Sequence, residues 1–111
     1  IAVSIEANEN TSSAIDLGRK NIIGIEMPTA WTGANITWLG ATSLSGAYSP
    51  LYDQSGSEIN IATAASRMIV VDGSSQIFNT FKYMKLRSGT SATPVSQAAY
   101  RLFSLVLRGN Y

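Results

Sequence analysis

The chain has 111 residues, 45% of them hydrophobic and only 14% charged, with a formal net charge of +1 and neither histidine nor cysteine. This length fits one domain. The missing residue types argue against a nucleophilic triad or a zinc site, and the small net charge argues against electrostatic attraction to nucleic acid or an anionic membrane. Charged residues usually make up about 25% of a soluble domain, so a lone monomer of this composition is poorly protected against association.

Short runs of alternating hydrophobic and polar residues recur in the first half of the chain, with turn residues between them. Such runs are typical of an all-β sandwich or barrel. In one run, alternation places Ile23, Ile25 and Met27 on one face of a strand. Pro28 ends that strand and Pro50 confines another to a sheet edge, because proline lacks the N–H that a ladder needs. The strands predicted in this half are 13–17, 21–27, 35–41 and 48–52.

The second half predicts four further strands, at 58–62, 67–71, 82–87 and 99–108. The segment 74–81 fits neither the two-residue period of a strand nor the period of a longer helix. It predicts a single helical turn packed on the core. The strand at 99–108 is apolar on both faces, which predicts a central strand covered on both sides. One face carries Phe103, Leu105 and Leu107, which are predicted to be core, and the other carries Leu102 and Val106.

About eight strands in one small domain predict a jelly-roll-type β-sandwich with at most one short helical turn. The helical share is expected to stay below about 15%, against the usual third of a globular domain. The domain is predicted to span 1–111, with residues 1–12 as a candidate extended N-terminal arm.

A series of strand-like segments, in a fixed order, carries a resemblance to a known family. The segments are AIDLG at 14–18, NIIGIEMPTAW at 21–31, NITWLGA at 35–41, LYDQSG at 51–56, FKYMKLRSG at 81–89 and RLFSLVLRG at 101–109. The chain resembles a group of small tailed-bacteriophage structural proteins with a discoidin-like, or galactose-binding-like, jelly-roll fold. The resemblance implies a virion component, such as a capsid decoration protein or a tail or fibre module, and it brings no catalytic residues. Some galactose-binding-like domains hold calcium near a sugar site, but this chain has no equivalent acidic loop.

Three aromatic residues, Trp31, Tyr48 and Tyr52, lie in or beside predicted loops. Exposed aromatic rings there could stack on a sugar or anchor a protein partner. The alternative is that they close the open ends of the sandwich, because aromatic side chains bury a large area whenever they can. Trp38 lies inside an alternating strand and is predicted to be core.

The charged residues form no recognisable catalytic or metal site. Asp53 and Glu58 flank a Ser/Gly turn, but two carboxylates are too few for the oxygen ligands that calcium requires, so a plain turn is predicted. Lys82, Lys85 and Arg87 form a mildly basic cluster, and the prediction is a solvated strand face.

These observations predict a non-enzymatic structural protein of a bacteriophage virion, most specifically a capsid decoration or cement protein. Its expected partners are capsid or other virion proteins and further copies of itself, and no cofactor, metal, nucleic acid or membrane is expected. The alternative is a carbohydrate-binding module or receptor-binding tip that uses the loop aromatics. An enzyme is disfavoured, although hydrolases that use only carboxylates exist.

Overall fold

The computed structural model describes residues 1–71 and 81–109 as two antiparallel sheets with a shared core. The strands of the described residues are β1 (Ala2–Ile5), β2 (Ile15–Asp16), β3 (Lys20–Glu26), β4 (Ile36–Ala41), β5 (Ser49–Pro50), β6 (Asn60–Ile61), β7 (Met68–Val70), β8 (Tyr83–Ser88) and β9 (Arg101–Gly109). Sheet A has the strand order β1-β9-β3-β7, and sheet B has the order β2-β8-β4-β5, with β6 also paired to β4.

Successive strands alternate between the two sheets, except that β5 and β6 both pair with β4. If those two short strands are taken as one position, the order is that of an eight-stranded jelly roll. Residues 1–71 and 81–109 contain no helix, and therefore none that could span a membrane. The predicted all-β jelly-roll sandwich is confirmed. The helical turn predicted at 74–81 falls on residues that, apart from Phe81, lie outside the described part of the chain.

The core lies between the sheets and is built from alternate residues of the facing strands. Trp38 of β4 is fully buried, as predicted. In β9, Phe103 and Leu105 are buried, while Leu107 is partly buried but still packs against the core. The remaining core comes from both sheets and includes Val3, Ile5, Ile15, Leu17, Ile22, Ile25, Met27, Ile36, Leu51, Val71, Met84 and Leu86.

A β-bulge in β3 changes one predicted facing. The register of β3 against β9 shifts between Ile22 and Gly24. Ile22 is therefore buried in the core, whereas Ile23, which strict alternation places with Ile25 and Met27, is only half-buried. A bulge inserts one extra residue into one strand, so it interrupts the two-residue period on which the prediction rested.

The first residues do not form a separate extended arm but belong to sheet A. β1 pairs antiparallel with β9, so that Val3 lies opposite Phe103 and Ile5 opposite Arg101. Val3 and Ile5 are buried in the core. β9 is therefore flanked by β1 on one side and β3 on the other, and it is a central strand, as predicted.

Candidate interaction surface

The outer faces of the two sheets differ sharply. On sheet B, Thr37 and Arg87 are directly opposite each other and point away from the core, yet both are buried. Loop residues cover them. On sheet A, several large apolar side chains of β7 and β9 remain exposed on the outer face. Sheet A therefore presents the candidate interaction surface.

A buried polar network holds the covering loops on sheet B. Arg87 donates from Nε to the Thr37 hydroxyl at 3.0 Å and from a terminal nitrogen to the Glu58 carboxylate. The Thr37 hydroxyl in turn donates to the Gly89 carbonyl at 2.7 Å, and the Ser91 amide donates to Glu58. The prediction that Arg87 lies on a solvated strand face is therefore wrong, because its ion pair with Glu58 holds a distant loop over it.

The predicted Asp53–Glu58 turn is part of the same network, and both of its carboxylates are bonded within the chain. The Asp53 carboxylate accepts hydrogen bonds from the amides of Ser55 at 2.8 Å and Ser57 at 3.0 Å, and Gly56 has a φ of 86°. Glu58 is held by Arg87. Within residues 1–71 and 81–109, no group of three or more acidic residues could hold a metal ion.

The two lysines of the basic cluster each lie beside a tyrosine ring. The Lys85 ammonium is 4.5 Å from the centre of the Tyr48 ring, and the Lys82 ammonium is 5.1 Å from that of Tyr83. The hydrogen bond to the Tyr83 side chain, together with the charge of Asp16, raises the pKa of Lys82 above its ordinary value. These cation–π contacts lie at sheet B, and in the described part of the chain no large hydrophobic residue of its strands is exposed.

On sheet A, three strands place an apolar row across the outer face. Gly24 of β3 lies opposite Val70 of β7 on one side and Val106 of β9 on the other. The side chain of Val70 is 89% exposed and that of Val106 is 42% exposed. Met68 and Leu102 are also exposed, at 65% and 51%. We call these five residues the apolar patch.

Gly24 keeps the centre of the apolar patch flat. A Cβ atom at this position would lie 3.3 Å from the Ile69 carbonyl oxygen and 3.4 Å from Cβ of Val106. Val106 therefore leans over the glycine and covers its backbone, which is buried. A larger residue would crowd Val106 and raise a ridge in the middle of the face.

Opposite charges flank the central Gly24–Val106 row of the apolar patch, and Met68 and Leu102 lie on the acidic side of that row. Glu26 is opposite Met68 and Ser104, and it lines a shallow groove together with Met68 and Leu102. At the other end of the sheet, Arg108 lies opposite Asn21. Both Glu26 and Arg108 are exposed. The outer face thus has an apolar centre with an acidic end and a basic end.

The three predicted binding aromatics do not share one surface. Trp31 is half-buried: its ring meets Phe103 edge-on, with centres 5.3 Å apart, and its Nε1 donates to the Ala34 carbonyl at 3.1 Å. This is the placement expected of a residue that closes an end of the sandwich. Tyr48 is half-buried beside Lys85. Tyr52 is 52% exposed, with its hydroxyl 3.2 Å from that of Ser91.

Sequence patterns identified the residues that β9 contributes to the apolar patch, but not those that β7 contributes. Leu102 and Val106 stood out because β9 is apolar on both faces. That second face was expected to be covered, but no element of the described residues covers it. Met68 and Val70 were overlooked, although their spacing of two residues in a predicted strand is the signal that places them together on one face.

Comparison with family models, with curated proteins and with solved structures finds no significant match. The topology and the two outer faces are therefore the observations on which a function can be argued.

Proposed function

We propose that this chain is a non-enzymatic structural protein of a bacteriophage virion, most specifically a capsid decoration or cement protein. The observation that carries the proposal is the apolar patch on the outer face of sheet A. Contiguous exposed apolar residues on a soluble domain mark surfaces that another molecule covers. The family resemblance in the sequence suggests that this molecule belongs to a virion, as a capsid protein or as a further copy of this chain on the capsid.

The architecture suits such a role. A jelly roll is a rigid scaffold, and viral capsid proteins commonly use it. Polar loops, the Arg87–Glu58 pair and the two lysine–tyrosine contacts cover the outer face of sheet B. Among residues 1–71 and 81–109, the exposed apolar side chains that share one sheet face lie on sheet A, and Glu26 and Arg108 are the charges that flank its central row. Neighbouring subunits in a lattice can pack on a surface of this kind without desolvating many charged groups.

The test is co-sedimentation of the purified protein with capsids that lack decoration protein, taken from the phage that encodes the chain. We expect saturable binding, with a fixed number of copies per capsid. Val106→Lys, which charges the centre of the apolar patch, should reduce the bound amount. Leu44→Lys is the matched control, because Leu44 is 52% exposed but lies in the loop after β4, outside sheet A. A wild-type protein that never pellets with capsids would overturn the proposal.

A carbohydrate-binding module or receptor-binding tip is the second candidate, and the exposure of Tyr52 favours it. A half-exposed ring beside the polar Ser91 and Glu58 side chains offers both a stacking surface and hydrogen-bonding groups. A glycan array tests it. Binding that disappears with Tyr52→Ala but persists with Tyr100→Ala, which removes an equally exposed ring, would favour this candidate.

A further inference from the structure

We infer that the molecule covering the outer face of sheet A is a second copy of this chain. In this dimer a two-fold axis crosses the strands at the Gly24–Val106 pair, and Glu26 of each copy reaches Arg108 of the other, which lies on the neighbouring strand. The inference rests on the proposed function in one respect, namely that the outer face of sheet A is a protein contact surface.

The register of β3 and β9 supports this arrangement. Along β9, Val106 lies midway between Ser104, which is opposite Glu26, and Arg108, which is opposite Asn21. Each of these steps is two residues, or roughly 7 Å. Rotation about an axis through Gly24 and Val106 therefore exchanges the acidic end of the face with the basic end.

In the resulting dimer, Glu26 of one copy lies above Asn21 of the other copy and one strand away from its Arg108. Neighbouring strands are about 4.8 Å apart and packed sheets about 10 Å apart. Two long side chains that extend towards each other can span that separation. The apolar residues Val70 and Val106 then meet their own counterparts near the axis, as the isologous contact of a two-fold dimer requires.

The charges at the two ends are available for such pairing. Among residues 1–71 and 81–109, neither Glu26 nor Arg108 forms a side-chain hydrogen bond or ion pair within its own chain. By contrast, Arg101 at the start of the same strand is bonded to Gln97 and Thr32. A face with one unpaired acid and one unpaired base, placed on opposite sides of its apolar centre, is complementary to itself.

The size of the face predicts a weak dimer. Four strands at about 4.8 Å spacing and six or so residues in length cover on the order of 400 Å² per copy. A standard stable interface buries about 800 Å² per partner. The dimer should therefore dissociate in the micromolar range or above, and it would gain occupancy where copies are held close together, as on a capsid.

Sedimentation velocity of the purified protein, from about 10 µM to about 1 mM, tests the inference over the range of weak affinities. We expect a monomer–dimer equilibrium. Glu26→Arg and Arg108→Glu should each weaken the dimer about tenfold, because each change converts two surface attractions into repulsions. The double variant Glu26→Arg/Arg108→Glu should restore the dimer, because it exchanges the two charges and keeps the pairing.

Control charge reversals are Glu9→Arg and Lys82→Glu, both at exposed positions outside the strands of sheet A. Neither should change the dimer by more than about twofold, the effect expected of charges outside the contact. A thermal melt of each variant separates loss of the dimer from loss of the fold.

A wild-type protein that is monomeric throughout this range would overturn the inference, as would a dimer that the two charge reversals leave unchanged. The proposed function is tested separately, because capsid binding and dimer formation are measured in different experiments. A dimer that does not bind capsids would contradict the virion role and leave the inference standing. A strict monomer that binds capsids would support the virion role and show that the capsid, not a second copy, covers sheet A.

Discussion

Arg87 of β8 and Glu58 of the loop before β6 form an ion pair whose side chains are only 8% and 13% exposed. The pair lies on the outer side of sheet B, where a strand residue would ordinarily be solvated. It holds the 53–58 turn against the sheet, and the Ser91 amide on the same carboxylate adds the loop after β8. This ion pair thus holds two loops over the part of sheet B around Arg87.

Breaking this pair should destabilise the fold. Glu58→Gln leaves the Arg87 guanidinium nearly buried without its counter-charge, and loss of one partner of a buried pair typically costs about 3–5 kcal/mol. Because Glu58 keeps some exposure, we expect a loss near 3 kcal/mol in urea unfolding. Glu9→Gln, at an exposed loop position, should stay within about 0.5 kcal/mol of wild type. Equal midpoints for the two variants would show that the pair contributes little.

Gln97→Ala should also destabilise the protein, because Gln97 is fully buried and joins separate loops. Its Nε2 donates to the Ser88 hydroxyl at 2.7 Å, and its Oε1 accepts from the Thr32 amide at 2.9 Å. Each buried group left unpaired costs about 1–3 kcal/mol, so a loss of roughly 2–4 kcal/mol is expected in urea unfolding. Ser96→Ala, one residue earlier and exposed, is the control. A small effect at Gln97 would mean that water replaces the amide.

The two faces of β9 should respond differently to truncation. Leu105→Ala removes a side chain that is 2% exposed and should cost about 2–5 kcal/mol. Leu102→Ala, on the opposite face of the same strand, removes one that is 51% exposed and should cost less than about 1 kcal/mol. Thermal melting of the two variants side by side measures the difference. Similar melting temperatures would contradict the assignment of the two faces.

Association through the apolar patch should depend only weakly on salt. Few charge pairs contribute to the contact, and ions screen only those pairs. Between about 50 mM and 500 mM NaCl we expect the dimer or capsid affinity to change less than about tenfold, measured by sedimentation. A collapse at moderate salt would instead implicate charges such as the exposed Lys82 and the half-buried Lys85. Arg87 is excluded from that role by its pairing with Glu58.

Period-two alternation was sufficient to predict the sandwich, most of the strands and the core positions Trp38, Phe103 and Leu105. It failed where a β-bulge interrupts the two-residue period or where a contact with a distant residue buries an outward-facing side chain. The bulge at Ile23 places the preceding isoleucine in the core instead of Ile23, and no feature of the amino-acid sequence indicates that bulge. The burial of Arg87 depends on Glu58, 29 residues earlier in the chain, and no local pattern encodes such a contact.

The candidate surface was predictable only in part for the same reason. The pattern of β9 identified Leu102 and Val106, but it could not say which strand lies beside them or whether anything covers them. That depends on the pairing of β3 with β9 and β7. Trp31 illustrates the converse: a loop position suggested exposure, but its ring packs against Phe103.

Because β9 lies in the centre of sheet A, the outer face of this sheet can form only after β9 has been synthesised. β9 follows the other strands of sheet A in chain order; it is the neighbour of β1 in this sheet, and it joins β1 to β3. Until the ribosome has released β9, β1 lacks its neighbour and the apolar patch lacks Leu102 and Val106. A nascent chain therefore cannot associate through the complete surface before β9 has emerged and paired, which limits premature assembly to chains in which sheet A has already formed.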